Sequence, residues 1–510
     1  MLESLQLLGQ GFLDCLSLAN LAAVLIGSLL GTLIGVLPGL GISGTVAILL
    51  PITYGMEPLT ALIMISGIYF GSQYGGAITS ILVNIPGEAT SIVTTFDGYP
   101  LAKQGLAGKA LSASAVSSFV GGFIGMIGLT FAASALARAA LTFGKVEFFA
   151  IVIFGLILLI SLSGKDPLKG LIVICLGVFL GCIGLDELFG VARFTYGNVN
   201  LYKGISFVTF IMGVYGISEL LKAVCIPEES GEIAEFTMRN QYLNKADYKR
   251  IAIPTLRSSI MGFFVGLVPG SGSTMATFFS YGLEKSLSKH PEEFGEGALE
   301  GVAGPEAANN SAMYAGLVPL LSLGLPFTSS MALLMSAFII HGITPGPMFI
   351  SEHPALFWGL IASMFIGNLV LLIVNLPLVG IWASLLRIDF SVLMPVVTFI
   401  TFAGGYAINN SVFDLGLMVV CGFAGFFMSA TGYNMAALAI GLFLSGTLED
   451  AFSGTMTVYH GDLIGALIDR PIGGVICVMA MVVLAWTFFK AFREWKTGIV
   501  KKNPAFGNDD

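Results

Sequence analysis

GTLIGVLPGLGIS, from Gly31 to Ser43, and GFFVGLVPGSGST, from Gly262 to Thr274, are two copies of one helix-breaking pattern, each set inside a long apolar stretch. Pro38 aligns with Pro269. Gly31, Gly35, Gly39 and Gly41 meet Gly262, Gly266, Gly270 and Gly272, and Ser43 meets Thr274. A proline removes a backbone donor and its ring clashes with the preceding turn, while glycine admits left-handed backbone, so neither copy continues as a regular helix. In lipid the freed backbone groups must be satisfied by protein or by a water-filled cavity. A break duplicated in both halves of an apolar chain therefore predicts a binding site at membrane depth.

The surrounding composition supplies the membrane. The 510 residues are 55% hydrophobic and 11% charged, with a mean hydropathy of +0.89. That leaves too little polar surface to cover a soluble globule. Apolar runs near residues 18–37, 59–82, 110–137, 146–163, 168–192, 204–224, 255–283, 310–350, 355–386, 392–408, 411–447 and 471–489 predict an all-α polytopic protein of roughly twelve spans, some broken or re-entrant. The runs are continuous and lack the alternating period of a membrane barrel. The first 20 residues contain Glu3 and Asp14 but no lysine or arginine, so the basic region of a cleaved secretory signal is missing and a retained N-terminus is expected. The six cysteines fall without metal-ligand or redox spacing and read as buried thiols. The formal charge of −8 offers no basic face to nucleic acid.

A polar stretch centred on IPEESGEIAEFTMRNQYLNKADYKR divides the chain into a first half (1–224), a linker (225–254) and a second half (255–470), followed by an additional helix (471–492) and a tail (493–510). Lys222, Arg239, Lys245, Lys249, Arg250 and Arg257 mark the linker as cytoplasmic, as Lys490, Arg493, Lys496, Lys501 and Lys502 mark the tail. The basic-free N-terminus is expected on the opposite side. An odd number of crossings before the linker and an even number after it satisfy all three placements.

A second pair of segments repeats. YGGAITSILVNIPGEAT and YAGLVPLLSLGLPFTSS pair Tyr74 with Tyr314, Gly76 with Gly316 and Pro86 with Pro326. The extra residues of the second half fall in the polar loop from Ser286 to Gly301. Each half thus holds two helix-breaking hairpins, the pattern of a secondary transporter built from two inverted structural repeats.

GVLPGLGISG, the stretch from Gly67 to Leu111, and GVAGPEAANNSAMYAGLVPLLSLGLP from Gly301 to Pro326 resemble the large membrane subunit, TctA type, of tripartite tricarboxylate transporters. The resemblance covers nearly the whole chain before its tail. It implies a permease of the bacterial inner membrane that works with a small four-helix membrane subunit and a periplasmic solute-binding protein. Its implied cargo is a citrate-like tricarboxylate or another carboxylate, carried with a coupling cation, usually a sodium ion. It also implies a moving transport domain against a static scaffold. The sequence departs from the family pattern at Ala89, where a proline is common, and at FTSS after Pro326.

No lysine or arginine lies within the repeated motifs; Lys103, Arg257 and Lys285 are the nearest in sequence. An anion must then be met by helix N-terminal amides and hydroxyls. The substrate-binding candidates are Pro38, Gly39, Gly41, Ser43, Tyr74, Pro86, Gly87, Thr90, Pro269, Gly270, Ser271, Gly272, Ser273, Thr274, Tyr314, Pro326, Thr328 and Ser329, with Ser330 as a further hydroxyl. Asn84, Asn309 and Asn310 are the candidate sodium ligands.

Plainer roles compete with these. Gly27, Gly31 and Gly35 have the spacing of a helix-packing surface, and the hydroxyls can bond back to their own helices. Glu88 and Glu306 are expected at aqueous tips, capping helix N-termini. Asp97 is expected in a cytoplasmic turn with Lys103 and Lys109, and His341 as a structural imidazole. Two other function classes remain. One is an anion channel, since paired half-helices also line pores. The other is a rhomboid-type intramembrane serine protease, because Gly41-Ile42-Ser43-Gly44 matches G-x-S-G; its serine would need His341 as base, and the second copy drops the pattern.

Overall fold

The computed structural model describes residues 2–37, 41–162, 166–186, 190–225, 242–268, 272–385 and 390–496. The described chain is helical apart from turns and a short antiparallel ladder that pairs Gly184 with Arg193 and Leu185 with Ala192. Six helical segments among the described residues are long and apolar enough to cross a membrane by length and composition. The remaining apolar runs include shorter helices such as Ile42–Thr53, Pro167–Gly181 and Ser329–Ile340.

The first half holds α1 (Leu2–Cys15), α2 (Leu18–Gly35), α3 (Gly41–Leu49), α4 (Pro58–Val83), α5 (Ile92–Leu101), α6 (Ala107–Ala140), α7 (Lys145–Leu162), α8 (Pro167–Gly181), α9 (Phe207–Ile211) and α10 (Ser218–Cys225). A π-helical stretch, Met212–Ile217, joins α9 to α10. The second half holds α11 (Lys245–Gly266), α12 (Gly272–Leu287), α13 (Leu299–Leu323), α14 (Ser329–Ile340), α15 (Phe349–Glu352), α16 (Pro354–Asn375), α17 (Val379–Leu385), α18 (Phe390–Asn409), α19 (Val412–Ala430), α20 (Met435–Val458), α21 (Leu463–Asp469) and α22 (Pro471–Lys496).

Element boundaries follow the sequence repeat. In the register that pairs Pro38 with Pro269, the end of α2 at Gly35 meets the end of α11 at Gly266, and the start of α3 at Gly41 meets the start of α12 at Gly272. In the register that pairs Tyr74 with Tyr314, the left-handed cap of α4 at Asn84 (φ 60°) meets the left-handed cap of α13 at Gly324 (φ 72°). Packing follows the same register. A Cβ added at Gly31 or Gly35 would overlap the carbonyl oxygens of Ile68 and Ser72, and one at Gly262 or Gly266 those of Ala308 and Ala312, their register partners. Gly27 meets the carbonyl of Met64 in the same way. These glycines let backbones touch where hydrophobic burial gives no driving force in lipid.

The helices gather into two bodies. In one, α2 lies on α4, α11 on α13 and α13 on α6, with α5, α12 and α16 packed around them. In the other, α8 lies on α20, α7 on α20 and α22, and α19 along the π-helical stretch. The second body draws α7 to α10 from the first half of the chain and α18 to α22 from the second. Helices α7 and α22 run in parallel, Gly473 lying against Val146 near their starts and Ser161 Oγ hydrogen-bonded to Thr487 Oγ1 at 2.7 Å near their ends.

Several local expectations are corrected. The linker does not stay irregular to residue 254, because Asn244 caps α11 by accepting the backbone N–H of Ala246 and Asp247 at 2.8 and 2.9 Å, which starts the helix at Lys245. Asp97 is not in a turn. It lies inside α5, fully buried, and its Oδ1 accepts N–H from Gly295, Gly297 and Ala298 at 2.8, 2.9 and 2.8 Å, so it organises the loop before α13. The bend falls instead at Gly105, whose φ of 75° a glycine adopts without strain. Glu306 is buried within α13, where it accepts hydrogen bonds from Thr94 and Ser118, and is not at an aqueous tip. Of the thiols, Cys175 and Cys225 are exposed.

Candidate binding cavity

Both kinds of break open onto one cavity of about 550 Å³. Its walls bring together Ser43 and Gly44 from α3, Pro86, Gly87, Glu88, Ala89 and Thr90 from the tip before α5, Gly272, Ser273 and Thr274 from α12, and Thr328, Ser329 and Ser330 from the start of α14. They include cap or first-turn residues of α3, α12 and α14 and of the short turn Ala89–Ser91 that leads into α5, which Pro86, Gly87 and Glu88 precede. Four helix beginnings therefore converge, and the unpaired amides of a helix N-terminus with its positive dipole end favour an anion.

The pairing crosses between the halves. Ser43, at the break of the first half, is hydrogen-bonded through Oγ to the hydroxyls of Ser329 and Ser330 in the second, at 2.9 and 3.1 Å. Reciprocally, α12 at the second break packs on the turn Ala89–Ser91 of the first. Local chemistry shapes each tip. Thr328 caps α14 by accepting the N–H of Met331 at 3.2 Å. Glu88 caps its turn in a reciprocal box with Ser91, as expected for a tip carboxylate, and accepts a hydrogen bond from Thr90. Glu88 and Thr328 occupy equivalent positions in the Tyr74/Tyr314 register, so one tip carries an acid where the other carries a neutral hydroxyl.

The second body closes the remaining side with Leu159, Tyr215, Glu219, Lys222, Asn434 and Ala436. Among the described residues, Lys222 is the one basic residue on the lining, and its Nζ stands 3.8 Å from Glu219 Oε2. Sequence reasoning counted Lys222 only as a mark of the cytoplasmic side. The available signal was SELLKAVC, where Glu219 and Lys222 share a helix face three residues apart.

Of the sequence candidates, Ser43, Pro86, Gly87, Thr90, Gly272, Ser273, Thr274, Thr328 and Ser329 line the cavity. Pro38, Gly39, Pro269, Gly270 and Ser271 lie outside the described residues. Gly41 opens α3. Tyr74 and Tyr314 are buried in the helix core away from the lining, Tyr314 stacked on Phe70 with centroids 4.1 Å apart, and Pro326 is buried behind its tip. The asparagines separate. Asn84 is an exposed helix cap, Asn310 bonds back to the carbonyl of Glu306 at 3.0 Å, and Asn309 donates to Thr90 Oγ1 at 3.2 Å behind the cavity wall. Asn309 Oδ1 is buried without a hydrogen-bond partner among the described residues.

Two of the basic side chains nearest the motifs in sequence are engaged elsewhere. Arg257 is paired with the buried carboxylate of Glu284, which also accepts from Ser258 Oγ at 2.9 Å, and Lys103 sits 4.8 Å above the ring of Tyr99. Among the described residues, the hydrogen-bond partners of Ser43 Oγ are the hydroxyls of Ser329 and Ser330, where a serine protease would pair its nucleophile with a base.

Residues 21–440 match the tripartite tricarboxylate transporter TctA family. The chain is 45% identical over 510 residues, all of both chains, to "Uncharacterized 52.8 kDa protein in TAR-I ttuC' 3'region" of Agrobacterium vitis. It is 42% identical over 249 residues, 49% of this chain and all of the other, to "Uncharacterized protein in TAR-II ttuC' 3'region" of the same organism. No solved structure matches it. With its repeated helix breaks converging on one cavity and the family pattern spanning both halves, the chain belongs to the TctA family of tripartite tricarboxylate transporters.

Proposed function

We propose that this chain is the permease of a binding-protein-dependent secondary transporter that imports citrate-like tricarboxylates or other carboxylates across the bacterial inner membrane, with sodium as the coupling ion. The observation that carries the reading is the convergence of four helix beginnings and their hydroxyls on one cavity between two helix bodies. Amides and hydroxyls supply the donors that carboxylate oxygens require. Glu88, Thr90 and the unpartnered Asn309 Oδ1 form an oxygen-rich side suited to the cation. The two halves are read as repeats of inverted topology, and the body carrying the hairpins moves against the one carrying Lys222 to alternate access. A small four-helix subunit and a periplasmic binding protein complete the system, as the family implies.

The test is uptake into proteoliposomes holding the complete complex, with a panel of labelled tri- and dicarboxylates and an imposed sodium gradient. At least one carboxylate accumulates above its external concentration, and the large subunit alone transports poorly. Flux that only runs downhill assigns the chain to the channels instead.

A further inference from the structure

The cavity contains one charge arrangement that helix ends and hydroxyls do not explain. Lys222 stands in the last turn of α10, half-exposed, on the wall contributed by the second body, and lines the same cavity as the break-and-tip contact formed by Ser43, Ser329 and Ser330. Glu219 lies one turn earlier on the same helix, and a Cβ on Gly44 would lie 3.3 Å from its Cγ, so its side chain packs against the first turn of α3. At 3.8 Å and part solvated, the Lys222–Glu219 contact is at the outer limit of an ion pair and of the kind that contributes little to stability. It is well placed to be exchanged. A carboxylate entering the cavity has on its walls both the hydroxyls of Ser43, Ser329 and Ser330 and this ammonium.

We propose that Lys222 is the charge-selecting residue of the cavity, that Glu219 is its counter-ion when the cavity is empty, and that a substrate carboxylate takes the place of Glu219 on the lysine. The inference rests on the transport reading above and adds to it the residue that prefers anions. It also explains the position of the pair. Lys222 is carried by α10 and the hydroxyls by α3 and α14, so one bound carboxylate ties these three helices together, and its release frees them to separate.

The same proteoliposomes test it, using whichever carboxylate of the panel the wild-type complex accumulates. If none is accumulated, the transport reading itself fails, and this inference with it. If one is, Lys222→Gln raises its half-saturation concentration at least about tenfold, the loss expected when a charged hydrogen bond is removed. Lys222→Arg keeps it within a few-fold, and Glu219→Gln lowers it by removing the competitor. An unchanged half-saturation in Lys222→Gln overturns the proposal. A second measurement does not depend on that variant folding: in the purified wild-type complex, the transported carboxylate protects Lys222 from an amine-acylating reagent, read by mass spectrometry, while the same concentration of chloride does not. Equal acylation with and without the carboxylate overturns it as well.

Discussion

Ser43 and Thr274 occupy equivalent places in the two breaks, and among the described residues Ser43 alone of the two is bonded to the opposite hairpin tip, through Ser329 and Ser330. A hydroxyl in that position can donate to a carboxylate while accepting from a neighbour, which an alanine cannot. Ser43→Ala and Thr274→Ala are each expected to weaken apparent substrate affinity by about 1–3 kcal/mol, the cost of a lost hydrogen bond to a charged group. Lys103→Gln, whose ammonium lies over Tyr99, is expected to leave affinity unchanged. Half-saturation in the uptake assay measures all three. Affinity that is indifferent to both hydroxyls and lost with Lys103 would move the site to the loop after α5.

At the scale of the element, glycine spacing decides how closely α2 can approach α4 and α11 can approach α13. The Cβ that alanine would add at Gly35 or Gly266 runs into a backbone carbonyl, which has no rotamer with which to escape. Gly35→Ala and Gly266→Ala should therefore each destabilise the fold by about 1–3 kcal/mol through overpacking, seen as earlier thermal unfolding in detergent. Gly446→Ala, in α20 with open space around it, serves as the control and should not shift the transition. Equal transitions in all three variants would mean that these pairs are not held at the observed separation.

For the whole molecule, the question is which end faces which compartment. The linker before Asn244 follows α10, and the tail follows α22, which runs parallel to α7; the loop carrying Asn200 lies between α8 and α9. The positive-inside bias then predicts that, in a background without native cysteines, Asn244→Cys reacts with impermeant thiol reagents from the cytoplasm only and Asn200→Cys from the periplasm only. Both side chains are on exposed residues. Labelling of both from one side, or each from the wrong one, would undo the orientation and with it the reading of Lys222 as a mark of the cytoplasmic side.

The sequence by itself determined the helical membrane class, the duplicated breaks and the family, because composition, proline and glycine act locally and their repetition is visible in one dimension. It also singled out ten of the residues that line the cavity, Ser330 among them, all at or near Pro38, Pro86, Pro269 and Pro326, since a break in lipid must face something polar. Other features required the tertiary structure. Tyr74 and Tyr314 repeat as faithfully as the cavity residues but serve the core, and repetition alone does not distinguish packing from binding. Asp97 looked like a turn because its partners, Gly295, Gly297 and Ala298, are about two hundred positions away, and the hydrogen bonds that bury a carboxylate have no local signature. Lys222 had a local signal in its spacing from Glu219, but the body that carries it assembles from the ends of both halves, and only their packing brings its ammonium into the cavity that the hydroxyls line.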